Sequence, residues 1–244
     1  MGVHGALAVT AVTAQNTTEV RATFEIPAEM VRYQVAAVLD DLDVTGVKTG
    51  MLANASIVSA VSSMAAEGAL PNLVVDPVMV SSTGHRLLTE AAVATYIEEL
   101  IPHAVVLTPN LDEAAVLTGC SPEDLASVEA MTGAAEQLAA LGARIVVVKG
   151  GHLLGDQVVD VIRAGGKTLL MEAARVSTKN THGSGCTLSA AIAALLAKGL
   201  DPLIATKEAI AFVRRAVAYG ASWRLGAGQG PLDHFGWSAC AAKT

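Results

Sequence analysis

Residues 144–151 read RIVVVKGG, four β-branched residues in a row that run into a lysine and two glycines. A strand that is apolar on both sides of its pleat has to be covered on both faces, which is the situation of a strand inside a parallel sheet sandwiched by helices. The neighbouring segments fit that environment. Upstream, residues 127–141 carry helical spacing stopped by Gly142; downstream, 156–173 reads as two strands joined at Ala164-Gly165-Gly166, a hairpin signal. Toward the N-terminus, strand-like runs at 6–14, 44–50, 72–77 and 104–110 alternate with helical patterns at 28–42, 56–68, 90–101 and from Leu111 onward. Toward the C-terminus, helices at 186–198 and 201–219 precede a glycine-rich tail, LGAGQGPLDHF (225–235). Strands and helices in alternation predict an α/β fold with a mostly parallel sheet and right-handed crossovers. With no repeat and no break in composition, residues 1–244 read as one domain.

Composition narrows the function classes. Aromatic residues are only 3% of the chain against 52% apolar residues, so Ala, Val, Leu and Ile must build the core. A net charge of −7 without a basic run argues against a nucleic-acid partner. No apolar run reaches the roughly 20 residues that cross a bilayer, and the N-terminus lacks the pattern of a signal peptide. Cys120, Cys186 and Cys240 are odd in number and widely spaced. They suit neither a disulfide framework nor a zinc site, and they fit a reducing cytoplasm.

In parallel sheets of this kind, ligands bind beyond the carboxyl ends of the strands. The polar and glycine clusters fall there: TAQNT, KTGM, DPVM, TPN and KGGH each follow a predicted strand. NTHGSGCT (180–187) precedes a long alanine-rich helix. Gly183 and Gly185 let backbone N–H groups approach a ligand at the positive end of that helix, an anion site whose field favours thiolate at Cys186. The other reading is a tight turn capped by Thr181 or Ser184 around a small buried cysteine. Asn110 and Glu113, three apart at a strand-to-helix junction, suit either a hydrated Mg²⁺ or a capping box. Lys149 at a buried strand end suits a phosphate contact or a reach to solvent. Gln15 offers an amide to a heteroaromatic edge or to its own loop, and Asn16 the same. Met51 can flank a planar ligand or fill the core. Asp76 before Pro77 is a site carboxylate or a turn former. His182 reads as loop-shaping, the Asp40, Asp41 and Asp43 group as a solvated helix end, and Cys120 and Cys240 as structural or incidental. An anion site, a metal site, a base and a ring-edge reader on one rim are the parts of a phosphoryl-transfer enzyme.

The motifs TAVTAQNT, KTGMLA, VVDPVM, LTPNLDEA, VVKGGH, NTHGSGCTLSAAIAA and GAGQGPLDHF, in this order, resemble the hydroxymethylpyrimidine/phosphomethylpyrimidine kinases of thiamine biosynthesis, within the ribokinase-like superfamily. The resemblance spans essentially the whole chain. It implies a three-layer α/β/α domain and two steps that use ATP and Mg²⁺. The first phosphorylates 4-amino-5-hydroxymethyl-2-methylpyrimidine on its hydroxymethyl oxygen, and the second converts the monophosphate to the diphosphate. It implies that Gln15, Met51 and Val78 contact the pyrimidine and that Lys149, Asn110 and Thr181 serve the ATP phosphates. Glu113 and Asn110 would hold Mg²⁺. Gly183, Ser184 and Gly185 would form the anion hole, with Cys186 as the base. A cytoplasmic homodimer is implied as well. Two other activities are compatible: a pyridoxine/pyridoxal kinase on the same fold, or a non-catalytic ligand-binding fragment. The latter is motivated by the family's first strand, glycine-rich loop and helix, which the resemblance places before residue 1. Lacking that strand, the chain is expected to show an exposed sheet edge, and a misassigned start is the expected cause of the absence.

Overall fold

The computed structural model describes residues 1–79, 88–151 and 153–238. Among these, six strands form the central sheet: β3 (Lys48–Thr49), β4 (Val74–Val75), β5 (Val106–Leu107), β6 (Ile145–Val148), β7 (Gln157–Ala164) and β8 (Lys167–Ala174), adjacent in that order. The first four are parallel, and β7 and β8 close the sheet antiparallel. The β7–β8 turn falls on Gly165 and Gly166, both with positive φ (53° and 77°), the backbone of a two-residue hairpin turn that glycine adopts without strain. Among the described residues, β3 is one terminal strand of the sheet and β8 the other.

The strand period of two divides the core into two halves. Val75, Leu107, Val146 and Val148 face one cluster with α2 (Ala55–Ala66), α3 (Glu90–Thr95), α4 (Leu111–Thr118) and α5 (Val128–Ala140). Val74, Val106, Ile145 and Val147 face the other, beneath α6 (Ser184–Ala197) and α7 (Pro202–Gly220). This is the three-layer sandwich that RIVVVKGG demanded, since each face of β6 is covered by its own helices. Helix α1 (Ala28–Leu39) packs beside α2, joined to the first cluster through Val31. Among the described residues, no helix is long and apolar enough to cross a membrane.

Two differences from the sequence reading concern the N-terminus. The strand expected at 6–14 is β1 (Ala11–Gln15), and it does not join the central sheet. It pairs instead with β2 (Val20–Glu25), an element with no counterpart in the sequence reading, to make a two-stranded antiparallel hairpin. The TAQNT cluster therefore ends a strand of this hairpin rather than one of the sheet. The alternation in VRATFE was a strand signal, apolar Val20, Ala22 and Phe24 against Arg21, Thr23 and Glu25. The helix at 90–101 also changes character, passing from α to a π-helical turn at Tyr96–Leu100 and a 3₁₀ turn at Ile101–His103 that takes in Pro102.

Candidate active site

Helix α6 begins at Ser184, two residues before the predicted start, and its N-cap is Gly183 in the left-handed region (φ 81°). No side chain caps it, so neither Thr181 nor Ser184 plays the capping part. The Ser184 N–H turns back to the Thr181 carbonyl at 3.1 Å, and the Thr187 N–H starts the helical ladder on Gly183 at 2.8 Å. Between them the amides of Gly185 and Cys186 stand at the positive helix end without a capping side chain, the arrangement that receives an anion. A Cβ on Gly185 would sit 3.0 Å from Lys149 Nζ, so this turn faces a cation directly.

Lys149 does not reach into solvent. Its ammonium lies 3.2 Å from Asp76 Oδ1 and 3.7 Å from Glu113 Oε2, and both carboxylates are buried. Three strand ends supply these groups, β4, β5 and β6, and parallel register brings them together. Burial disfavours the charged lysine, but Asp76 and then Glu113 outweigh it and hold the ammonium above its usual range. Asp76 is the hub. Besides Lys149 it accepts the Thr108 hydroxyl at 3.2 Å and the Ser189 hydroxyl of α6 at 3.1 Å, with only 1% of the residue exposed. Of the two sequence readings for Asp76, the site carboxylate fits, because a turn former would not be buried under three donors. Lys48 joins from β3, its Nζ 3.4 Å from Ser189 Oγ. Lys48, Thr108 and Ser189 escaped the sequence reading; a lysine in the closing residues of a strand, two residues before Gly50, was the available signal for Lys48.

Asn110 and Glu113 form a complete capping box. The Asn110 side chain accepts the Glu113 N–H and Glu113 Oε2 accepts the Asn110 N–H, both at 2.8 Å. The cap does not exhaust Glu113, which is 3% exposed and within ion-pair range of Lys149. Burial pushes its carboxyl up to about 7, against the pull of Lys149 and the Asn110 amide. Asp76 and Glu113 thus share the Lys149 ammonium, while the second ammonium, Lys48, stops at Ser189. Paired carboxylates are oxygen donors of the kind a divalent cation takes, whereas Asn110 Oδ1 is already committed to the cap.

This shift has a sign. Between pH 4.5, the ordinary value, and about 7, the folded chain retains a proton that the unfolded chain has lost. Stability therefore falls as pH rises through that window. The isosteric Glu113→Gln keeps the capping box and removes the titration. Relative to it, the wild type is expected to lose up to about 3 kcal/mol between these limits, read from thermal unfolding across the pH range. A pH-independent difference would contradict the shift.

Cys186 departs from its expected charge state. It is solvent-exposed at the rim, yet partial burial of the thiol and then the Asp76 charge outweigh Lys48 and Lys149 and push its pKa up from the ordinary value. That direction is opposite to the one the helix N-terminus alone favours, and burial of the thiol is its largest cause.

Thr10 Oγ1 donates to the Met51 carbonyl at 2.6 Å, and Met51 and Val78 are half-buried where β3 and β4 end. Gln15 is exposed, and its neighbour Asn16 is spent on an Asx turn, accepting from Thr18 and Glu19. The hairpin arches over the rim: Asn54 bonds Glu25 near its base, and at its tip Thr17 packs on Gly226 and Gly228 of the tail. The tail is tied down in turn by Asn180, whose amide donates to Gly220 and Trp223 carbonyls at 2.7 and 2.8 Å. His182 shapes its loop through its backbone, bonded to Gly230. A cleft of about 550 Å³ opens between 177–180 and 221–228, beside the α6 turn. Cys120 is half-buried against Thr118, and Asp40, Asp41 and Asp43 are solvated. Cys240 and His152 of KGGH lie outside the described residues.

The family model for phosphomethylpyrimidine kinase matches residues 1–233. A hydroxymethylpyrimidine/phosphomethylpyrimidine kinase of Rhizobium meliloti is 44% identical over 236 residues, covering 96% of this chain and 87% of that one. Among solved structures, the ADP complex of Bacillus subtilis pyridoxal kinase superposes with a TM-score of 0.85 at 34% identity, covering 95% of this chain and 86% of that one. The phosphomethylpyrimidine kinase of Clostridium difficile 630 superposes at 0.76 with 32% identity, covering 88% and 87%. Motif order, fold, the ammonium-faced helix turn and these likenesses agree: the chain belongs to the phosphomethylpyrimidine kinase family.

Proposed function

We propose that this kinase transfers the terminal phosphoryl group of ATP to the hydroxymethyl oxygen of 4-amino-5-hydroxymethyl-2-methylpyrimidine, then phosphorylates the monophosphate to the diphosphate. The observation that carries the reading is the uncapped turn Gly183–Cys186 facing Lys149. Phosphoryl transfer needs little covalent help and much charge stabilisation at the equatorial oxygens. Gly183, Ser184 and Gly185 supply backbone amides there, and Lys149 and Thr181 meet the nucleotide phosphates. Cys186 accepts the proton that leaves the acceptor hydroxyl. Gln15, Met51 and Val78 flank the pyrimidine beneath the hairpin. Mg²⁺ held by Glu113 with Asp76 would neutralise phosphate charge, and Asn110 positions Glu113 through the capping box. Residues 1–244 act as one domain, in the cytoplasm and as a homodimer.

The pyridoxal kinase neighbour supports a second reading, since its substrate is also a ring with a hydroxymethyl group. Side-by-side turnover separates the two: kcat/KM is expected to favour the pyrimidine by at least about tenfold, the scale of one or two well-placed polar contacts. A reversed ratio would make this a pyridoxal kinase.

A further inference from the structure

Asp160 lies on β7, outside every motif that the kinase reading uses. Its place follows from register: Val148, the last residue of β6, pairs with Val161, so Asp160 and Val159 face the turn just after Lys149. Asp160 is a carboxylate with 9% of its surface exposed. Its Oδ1 accepts the Gly150 N–H at 3.1 Å, and its Oδ2 accepts Arg214 Nη2 from α7, also at 3.1 Å. The same guanidinium donates to the Met171 and Glu172 carbonyls of β8, which fixes it in turn. Gly150 is pressed so closely on β7 that a Cβ there would overlap the Val159 carbonyl. On the other side, the Lys149 N–H is held by the Pro109 carbonyl at 2.9 Å. The backbone around Lys149 is therefore clamped by Pro109, just past β5, on one side and by a largely buried ion pair on the other.

We propose that Asp160, braced by Arg214, is a positioning residue for Lys149: by holding the Gly150 amide it sets the ammonium against the Gly183–Gly185 turn, and so governs affinity for the nucleotide phosphates without touching them. The inference rests on the reading of Lys149 as a phosphate ligand. A buried carboxylate with one oxygen on a backbone amide and the other on a guanidinium from a distant helix cannot relax locally, because moving it strands a charge. Lys149 inherits that stiffness.

The test is binding of a non-hydrolysable ATP analogue and of the pyrimidine, each by calorimetry. Asp160→Leu combined with Arg214→Met replaces the ion pair by apolar groups of similar bulk, an exchange that buried pairs commonly tolerate, and removes the acceptor for Gly150. It is expected to weaken the analogue about tenfold and the pyrimidine no more than about twofold. Asp160→Asn keeps an acceptor oxygen for Gly150 and is expected to stay within about threefold of wild type. Lys149→Met weakens the analogue, and adding the Leu/Met pair to it costs nothing further, because both act through one contact. If Lys149→Met weakens the analogue and the Leu/Met pair does not, the positioning role is overturned and the phosphate reading survives. If Lys149→Met itself changes nothing, the phosphate reading falls and takes the positioning role with it. An Asp160→Asn loss equal to that of the Leu/Met pair would also overturn it, since charge rather than the amide contact would then matter. Should circular dichroism show the Leu/Met protein unfolded, Asp160→Ser, too short to reach Gly150, carries the same comparison.

Discussion

Replacing Cys186 by Ala is expected to slow phosphorylation of the hydroxymethyl group by about 10²-fold or more, and phosphorylation of the monophosphate by only a few-fold. The two acceptors differ in one proton. An alcohol oxygen must lose its proton as the bond to phosphorus forms, whereas a phosphate monoester is already largely ionised at neutral pH, its second pKa lying near 6. A base beside the acceptor therefore matters only to the first step. The raised pKa of the Cys186 thiol adds a signature. With thiolate the minor form at neutral pH, the first-step rate of the wild type should climb up to about tenfold per pH unit from pH 7 toward 9. The Ala variant and the second step should stay nearly flat. Separate assays of the two phosphorylations across that range decide the matter. Equal losses in both steps, or a flat wild-type profile, would reduce Cys186 to a wall of the anion hole.

Asp76→Ala is expected to cost both stability and activity. Asp76 is 1% exposed and accepts from Lys149, Thr108 and Ser189. Removing one partner of a buried ion pair leaves the other charge uncompensated, at a cost of about 3–5 kcal/mol. For a chain of this size each kcal/mol moves the melting temperature by roughly 2–4 °C, so a drop on the order of 10 °C is expected. The lysine would then lean on Glu113 alone, and kcat/KM should fall by about 10²-fold or more with the loss of phosphate positioning. Thermal unfolding and steady-state kinetics on the same preparation test both parts. A fall in melting temperature with unchanged kinetics would make Asp76 a structural partner of Lys149 and nothing more.

Local chemistry along the chain determined a good deal of this protein. Four β-branched residues in RIVVVKGG required cover on two faces, and the structure places each face in its own cluster. Gly165-Gly166 is a hairpin turn because only residues tolerant of positive φ adopt it. The NTHGSGCT glycines offered an open helix N-terminus as one of two readings, and the structure decides for it, with Gly183 as N-cap and no side-chain cap. The family was legible for the same reason: short motifs bound to backbone geometry keep their order and spacing.

Charge state and company were decided by the tertiary structure. Asp76, Glu113 and Lys149 follow three different strands, and nothing in the spacing of residues 76, 113 and 149 says that parallel register gathers them around one ammonium. The capping box of Asn110 and Glu113 was visible locally, but the burial that lifts Glu113 to about 7 was not. Read from its helix terminus alone, Cys186 is drawn toward thiolate; burial of the thiol, and then the Asp76 charge that the sheet places near it, push its pKa the other way. The N-terminal strand reads as part of the sheet until its partner, β2, is seen. Dihedral preferences and periodicity act over a few residues and are written in the sequence. Desolvation and Coulomb interactions act through space, and only the folded chain says which charges are neighbours.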